Sequence, residues 1–182
     1  NAIKVAYEFY KKHPKETLIV VTADHETGGI ALGTGKYALN LKALENQKAS
    51  AEVLSKKISD LRKAKNNHVA WEDIKNLLSE EMGFWSVLPI TWEQEKKLRD
   101  EYEKSFVRNK VEFAESMYAK TEPMAAKAKE VMDQIAMVGW TSGGHSAGYV
   151  PVFAIGAGSD LFIGKMDNTE IPKRIAKAGG YK

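Results

Sequence analysis

The chain has 182 residues, 43% of them hydrophobic, and 27 Lys and Arg against 24 Asp and Glu for a net charge of +3. That length and apolar content can bury a core in one domain with room for a sizeable insertion. Residues 37–137 hold 17 basic and 17 acidic side chains, so no clustered basic face points to a nucleic-acid partner. No apolar stretch approaches membrane-spanning length, and the absence of Cys excludes thiolate catalysis, disulfides and Cys-ligated zinc.

In chain order, Ile3, Tyr7 and Tyr10 recur at helical spacing, Lys11 and Lys12 suit a helix C-terminus, and Pro14 ends the segment. An apolar, β-branched run from Leu18 to Thr22 reads as a strand buried on both faces. Ile30-Ala31-Leu32 is long enough only for an edge strand or extended arm. From about Leu39 the strand signal gives way to charged, helix-forming sequence with few glycines.

Within that middle stretch, Leu54, Ile58 and Leu61 mark one helical stripe, and Trp71, Ile74, Leu78 and Met82 a second that Gly83 stops. Thr91 with Gln94 forms a capping box ahead of a third stripe, Leu98, Tyr102 and Phe106. Phe113, Met117 and Tyr118 continue that helix or begin another. Pro123 opens a last helix lined by Ala128, Val131, Met132 and Ile135.

Strands and glycines return at Val138. His145 is bracketed by Gly143, Gly144 and Gly148 and leads into a second buried-type strand, Val150 to Ile155. Asp167 to Glu170 caps an amphipathic helix carrying Ile171, Ile175 and Ala178, with Gly179-Gly180 as its stop. The expected fold class is therefore α/β: a discontinuous α/β core, residues 1–36 with 138–182, interrupted by an all-helical insertion at 37–137.

The chemistry concentrates where the first strand ends, at Thr22-Ala-Asp-His-Glu-Thr-Gly-Gly29. Ligands of open α/β sheets sit beyond strand carboxyl ends, and Asp24 and His25 are donor types that zinc accepts. His145, set among glycines, is the third candidate metal ligand. His13 is explained by its helix end and His68 by a polar loop. A serine triad, with His25 or His145 as base and Ser142 or Ser146 as nucleophile, is the competing catalytic arrangement, but no Gly-x-Ser-x-Gly elbow is present. Gly33-Thr-Gly-Lys36 lacks the spacing of a phosphate loop.

The segment Thr22–Gly29 resembles the alkaline phosphatases. His145-Ser-Ala-Gly-Tyr-Val-Pro-Val-Phe-Ala-Ile-Gly156 and Asp167-Asn-Thr-Glu-Ile171 resemble that family's C-terminal region in order and content. The Asp-His pair at a strand end is shared with relatives such as cofactor-independent phosphoglycerate mutases, whereas the Glu-Thr-Gly-Gly continuation points to alkaline phosphatases. The resemblance implies the C-terminal part of a sheet sandwich from a two-zinc phosphomonoesterase with an added magnesium, working on phosphate monoesters through a phosphoserine. It assigns Asp24 and His25 to the zinc that activates the nucleophile and His145 to the other zinc.

The same resemblance places the nucleophilic serine, the phosphate-holding arginine and the remaining ligands upstream of Leu18, so no catalytic nucleophile is expected within these residues. The start, without Met, reads as cut from a longer precursor, and the 182-residue chain alone is expected to be inactive. The family also implies a periplasmic or otherwise extracytoplasmic parent. Apolar surface left open by absent strands is expected to favour a homo-oligomer. Two alternatives stand beside this: another metal hydrolase of the same superfamily, a phosphodiesterase or mutase, and a non-catalytic helical binding module with a relic metal motif.

Overall fold

The computed structural model describes residues 1–35, 37–115 and 120–181. In order, its helices and strands are α1 (Ala2–Lys12), β1 (Leu18–Val21), β2 (Ile30–Leu32), α2 (Ala51–Ala64), α3 (Trp71–Met82), α4 (Trp92–Tyr102), β3 (Ala114–Glu115), β4 (Lys120–Thr121), α5 (Pro123–Ala136), β5 (Val138–Trp140), β6 (Phe153–Gly156) and α6 (Glu170–Ala178). Short 3-10 turns occupy Leu41–Asn46 and Ser159–Phe162. The chain gathers into two compact units, 1–29 with 145–182 and 30–144.

In the first unit β1 and β6 form an antiparallel ribbon that pairs Leu18 with Gly156 and Val21 with Phe153. The expectation that these apolar runs are buried on both faces does not hold. Every residue of β1 is half-buried, and Phe153 and Ile155 of β6 are exposed. The reason is that each strand has the other as its sole ladder partner among the described residues, so neither is enclosed as a central strand of a wide sheet is. Helix α1 ends where expected, before Pro14, yet buries none of its side chains. Helix α6 begins at Glu170, after the Asp167 carboxylate has accepted the amide and hydroxyl of Thr169 at 2.9 and 2.7 Å.

The second unit holds a continuous apolar core built from the expected stripes: Leu54 and Ile58 of α2, Ile74, Leu78 and Met82 of α3, Leu98 of α4, and Ala128, Val131 and Met132 of α5. Each large aliphatic side chain removed from water there contributes about 1.5–3 kcal/mol, which explains why the charged helices fold around this stripe. Local signals set the helix ends. Thr91 and Gln94 cap α4 reciprocally, Pro123 occupies the first turn of α5, and Gly83 ends α3 with φ 70°.

The third stripe departs from expectation past Tyr102. The α-helix relaxes into a π-helical turn over Glu103–Val107, and Asn109, at φ 53°, takes the left-handed conformation that stops it. Phe113 is then exposed outside any helix, and Ala114–Glu115 pairs antiparallel with Lys120–Thr121, so the middle is not all-helical. Met117 and Tyr118 lie outside the described residues. β2 pairs with β5, Ile30 opposite Trp140, as a second ribbon in which β2 is exposed and Val138 of β5 is buried.

Candidate metal centre

The β1–β6 ladder explains how residues 120 positions apart meet. Because the strands are antiparallel and Val21 faces Phe153, the chain leaving β1 and the chain entering β6 lie at the same end of the ribbon. The Thr22 hydroxyl continues the join by donating to the Pro151 carbonyl at 3.3 Å. Residues 22–29 and 145–152 therefore run beside each other.

His25 and His145 stack there, with ring centroids 3.4 Å apart and planes inclined by 25°. Nδ1 of His25 lies 2.7 Å from the Glu26 carbonyl oxygen. A carbonyl can only accept, so Nδ1 is the donor in this bond, and in the neutral ring that leaves Nε2 with its lone pair, the form in which a histidine binds a metal. Asp24 is mostly exposed. One of its oxygens accepts the His25 amide at 3.1 Å and the other lies 3.5 Å from His25 Nε2. Two ligands of one tetrahedral zinc, each at about 2.0–2.1 Å, lie about 3.4 Å apart, so the Asp24–His25 pair suits a shared ion in donor type and spacing. Among the described residues, however, no group of three or more His, Asp or Glu is gathered closely enough to hold an ion by itself.

The residue that sequence reasoning passed over is Glu26. Its Oε2 accepts the amides of Gly28 and Gly29, each at 2.7 Å, and the hydroxyl of Ser146. The turn that presents those two amides needs φ of 138° at Gly28 and 63° at Gly29, which is why the glycine pair follows. The Ser146 hydroxyl, followed by the glycine amides, holds the Glu26 carboxyl down to about 2, so the group is a carboxylate at any ordinary pH. A Glu followed two and three residues later by glycines was the available signal for the turn; nothing local announced Ser146.

The serine-triad arrangement loses support on the same geometry, because Ser146 spends its one proton on Glu26 rather than on an imidazole. Ser142 donates to the carbonyl of Gly144 at 3.1 Å. His13 packs on Phe9 at the end of α1, with ring centroids 4.8 Å apart, and His68 sits in the loop after α2 with Nδ1 2.9 Å from the Asn66 carbonyl. A pocket of about 280 Å³ opens beside Asp24, His25 and Ser146 and reaches Asn168. A larger cleft of about 660 Å³ between Val152, Phe153, Phe162 and Ile163 has neither acid nor imidazole in its lining.

Residues 1–181 match the alkaline phosphatase family. Alkaline phosphatase 3 of Bacillus subtilis (strain 168) is 32% identical over 100% of this chain and 34% of its own length, and alkaline phosphatase 4 of the same organism is 28% identical over 97% and 32%. The crystal structure of a cold-active alkaline phosphatase from a psychrophile, Shewanella sp., is similar with a TM-score of 0.66 at 26% identity, over 98% of this chain and 37% of that one. The chain thus spans about a third of the length of these relatives. It belongs to the alkaline phosphatase family.

Proposed function

We propose that these residues form the C-terminal part of a metal-dependent phosphomonoesterase, a sheet sandwich in the intact protein, and carry three of its metal ligands. The observation that supports this most is the juxtaposition of His25 with His145, each next to a residue of the Glu26–Ser146 bond. Bound there, two zinc ions would supply the clamp on attacking and leaving oxygens that an in-line phosphoryl displacement uses, with magnesium nearby. Asp24 and His25 would hold one ion and His145 the other.

The chain's own residues do the positioning. The Glu26 carbonyl orients the His25 imidazole with Nε2 outward, and the exposed Asp24 carboxylate stands beside it. The neighbouring pocket gives a phosphate monoester access to this edge. The nucleophilic serine and the remaining ligands belong to the two-thirds of the relatives' length that these residues do not span, and the helical excursion is an insertion between the two halves of the site. An extracytoplasmic location and self-association through the open ribbon complete the proposal.

The test is hydrolysis of p-nitrophenyl phosphate. The purified 182-residue chain with zinc is expected to stay at the rate of the buffer, while the longer protein turns over and loses activity with His25→Ala or His145→Ala. A zinc-dependent rate in the 182-residue chain that His145→Ala abolishes would overturn the division of the site. Full activity of the longer protein carrying His25→Ala would overturn the ligand assignment.

A further inference from the structure

We infer that Glu26 is the positioning residue that sets the His25 and His145 imidazoles against each other, through its carbonyl on one and through Ser146 on the other. This rests on the metal-site reading above and deepens it by naming what holds the two ligand loops together.

Each histidine immediately precedes one partner of the tie: His25 precedes Glu26, and His145 precedes Ser146. The main-chain carbonyl of Glu26 accepts a hydrogen bond from Nδ1–H of His25 at 2.7 Å and so orients that ring. Its side chain turns to the other loop. Oε2 gathers the Gly28 and Gly29 amides of its own loop and the Ser146 hydroxyl of the other, three donors on one oxygen. Ser146 Oγ in turn accepts the Gly148 amide at 3.2 Å, which curls the loop after His145 onto the carboxylate. Gly148 packs tightly here: a Cβ there would stand 3.1 Å from Glu26 Cγ and 3.2 Å from Ser146 Oγ, so those side chains would have to give by a few tenths of an ångström.

The strand ladder and the Thr22–Pro151 bond do not by themselves fix the stack. The β1–β6 ladder ends at Val21 and Phe153, eight residues after His145, and the Thr22–Pro151 bond is still six residues away. A chain of that length can carry an imidazole through many positions. Stacking between two exposed or half-buried rings is too weak to select one of them. The Glu26–Ser146 bond reaches to within one residue of each histidine and so has leverage on both rings.

The test follows two readouts in the 182-residue chain and its Glu26→Ala, Ser146→Ala and Ser146→Thr variants. The first is the NOE cross peak between the ring protons of His25 and His145, with the amide spectrum of Leu18–Val21 and Phe153–Gly156 as the check on folding. The second is calorimetric titration with zinc chloride. Wild type and Ser146→Thr should show the cross peak, whereas Glu26→Ala and Ser146→Ala should lose it with the ladder amides unmoved. Zinc binding should weaken about tenfold in the two alanine variants and recover in Ser146→Thr, the range typical of groups that orient metal ligands.

A cross peak that survives in Ser146→Ala, or is absent from wild type, overturns the inference, and Ser146→Ala decides it even if Glu26→Ala does not fold. Loss of the cross peak in a chain whose wild type takes up no zinc leaves the positioning role standing and removes support from the metal site. Zinc binding that is identical in all four proteins while the cross peak persists does the reverse.

Discussion

The imidazoles of His25 and His145 lie face to face, ring centroids 3.4 Å apart, at the end of an antiparallel ribbon whose two strands come from opposite ends of the chain. That contact makes residues from two distant sequence motifs into one candidate site. Asp24 stands beside it, yet among the described residues no group of three or more His, Asp or Glu is gathered so as to hold an ion.

Chelation is the first consequence. An ion held weakly by the folded state adds little to its stability, and here the second unit is held by an apolar core while the first rests on its ladder. Excess EDTA should leave the thermal midpoint and far-ultraviolet circular dichroism of the 182-residue chain unchanged. A midpoint that falls on chelation would reveal a structural ion.

Gly156 is the position in the ribbon with no room for a side chain. It has φ 103°, and a Cβ there would fall 2.0 Å from the Thr17 carbonyl oxygen and 3.1 Å from the Tyr10 ring. The Ala157 amide binds that same carbonyl at 3.0 Å, so the backbone cannot simply move off. Gly156→Ala should destabilise the first unit by about 3 kcal/mol or more, combining backbone strain with overpacking. All four tryptophans, at 71, 85, 92 and 140, lie in the second unit, so hydrogen exchange at the β1–β6 amides is the measurement. Unchanged protection there would refute the prediction.

In the helical unit Arg62 and Glu122 form a buried ion pair at 2.8 Å, with side chains 13% and 1% exposed. The guanidinium also donates to the Ser105 carbonyl and lies 3.5 Å over the Phe106 ring, and Glu122 caps α5 through the amides of Met124 and Ala125. Arg62→Met would keep the packing and leave the Glu122 charge buried without its counter-ion, a loss of about 3–5 kcal/mol. Urea unfolding followed by tryptophan fluorescence reads this unit directly. A loss under about 1 kcal/mol would mean that the pair is solvated in solution.

The same unit should weaken in acid. The Arg99 guanidinium, followed by the Trp85 indole N–H, holds the Glu95 carboxyl below its ordinary 4.5, and Lys65, followed by the Ala70 amide, holds Asp73 below 3.8. A carboxyl depressed in the folded state binds its proton more readily when unfolded. Its contribution is therefore complete above the ordinary value and is lost as pH falls through the folded one. The urea midpoint should be flat from pH 7 to about 5 and decline below about 4.5, less steeply in Glu95→Gln. An identical acid slope in that variant would show that Glu95 contributes nothing to it.

Much of the scaffold was legible because its signals are local. Thr91 with Gln94, Pro123 and Gly83 act within a turn of themselves, and the stripes Leu54–Ile58 and Ile74–Leu78–Met82 follow from the helical period, so each appears where expected. The stop after Phe106 was less legible. Its helix-forming neighbours compete with Asn109, one of the few residue types that enter the left-handed region readily, and composition alone does not say which prevails.

By itself, the sequence determined the donor chemistry: an acid and an imidazole after an apolar run, a second imidazole among glycines, and a family resemblance carried by both. Tertiary structure decided that β1 and β6 pair antiparallel and half-exposed, that His25 meets His145, and that Glu26 reaches Ser146. The physical reason is range. Capping and periodicity are settled by neighbours a few residues away, whereas a contact across 120 residues is settled by the strand ladder that brings both loops to one edge.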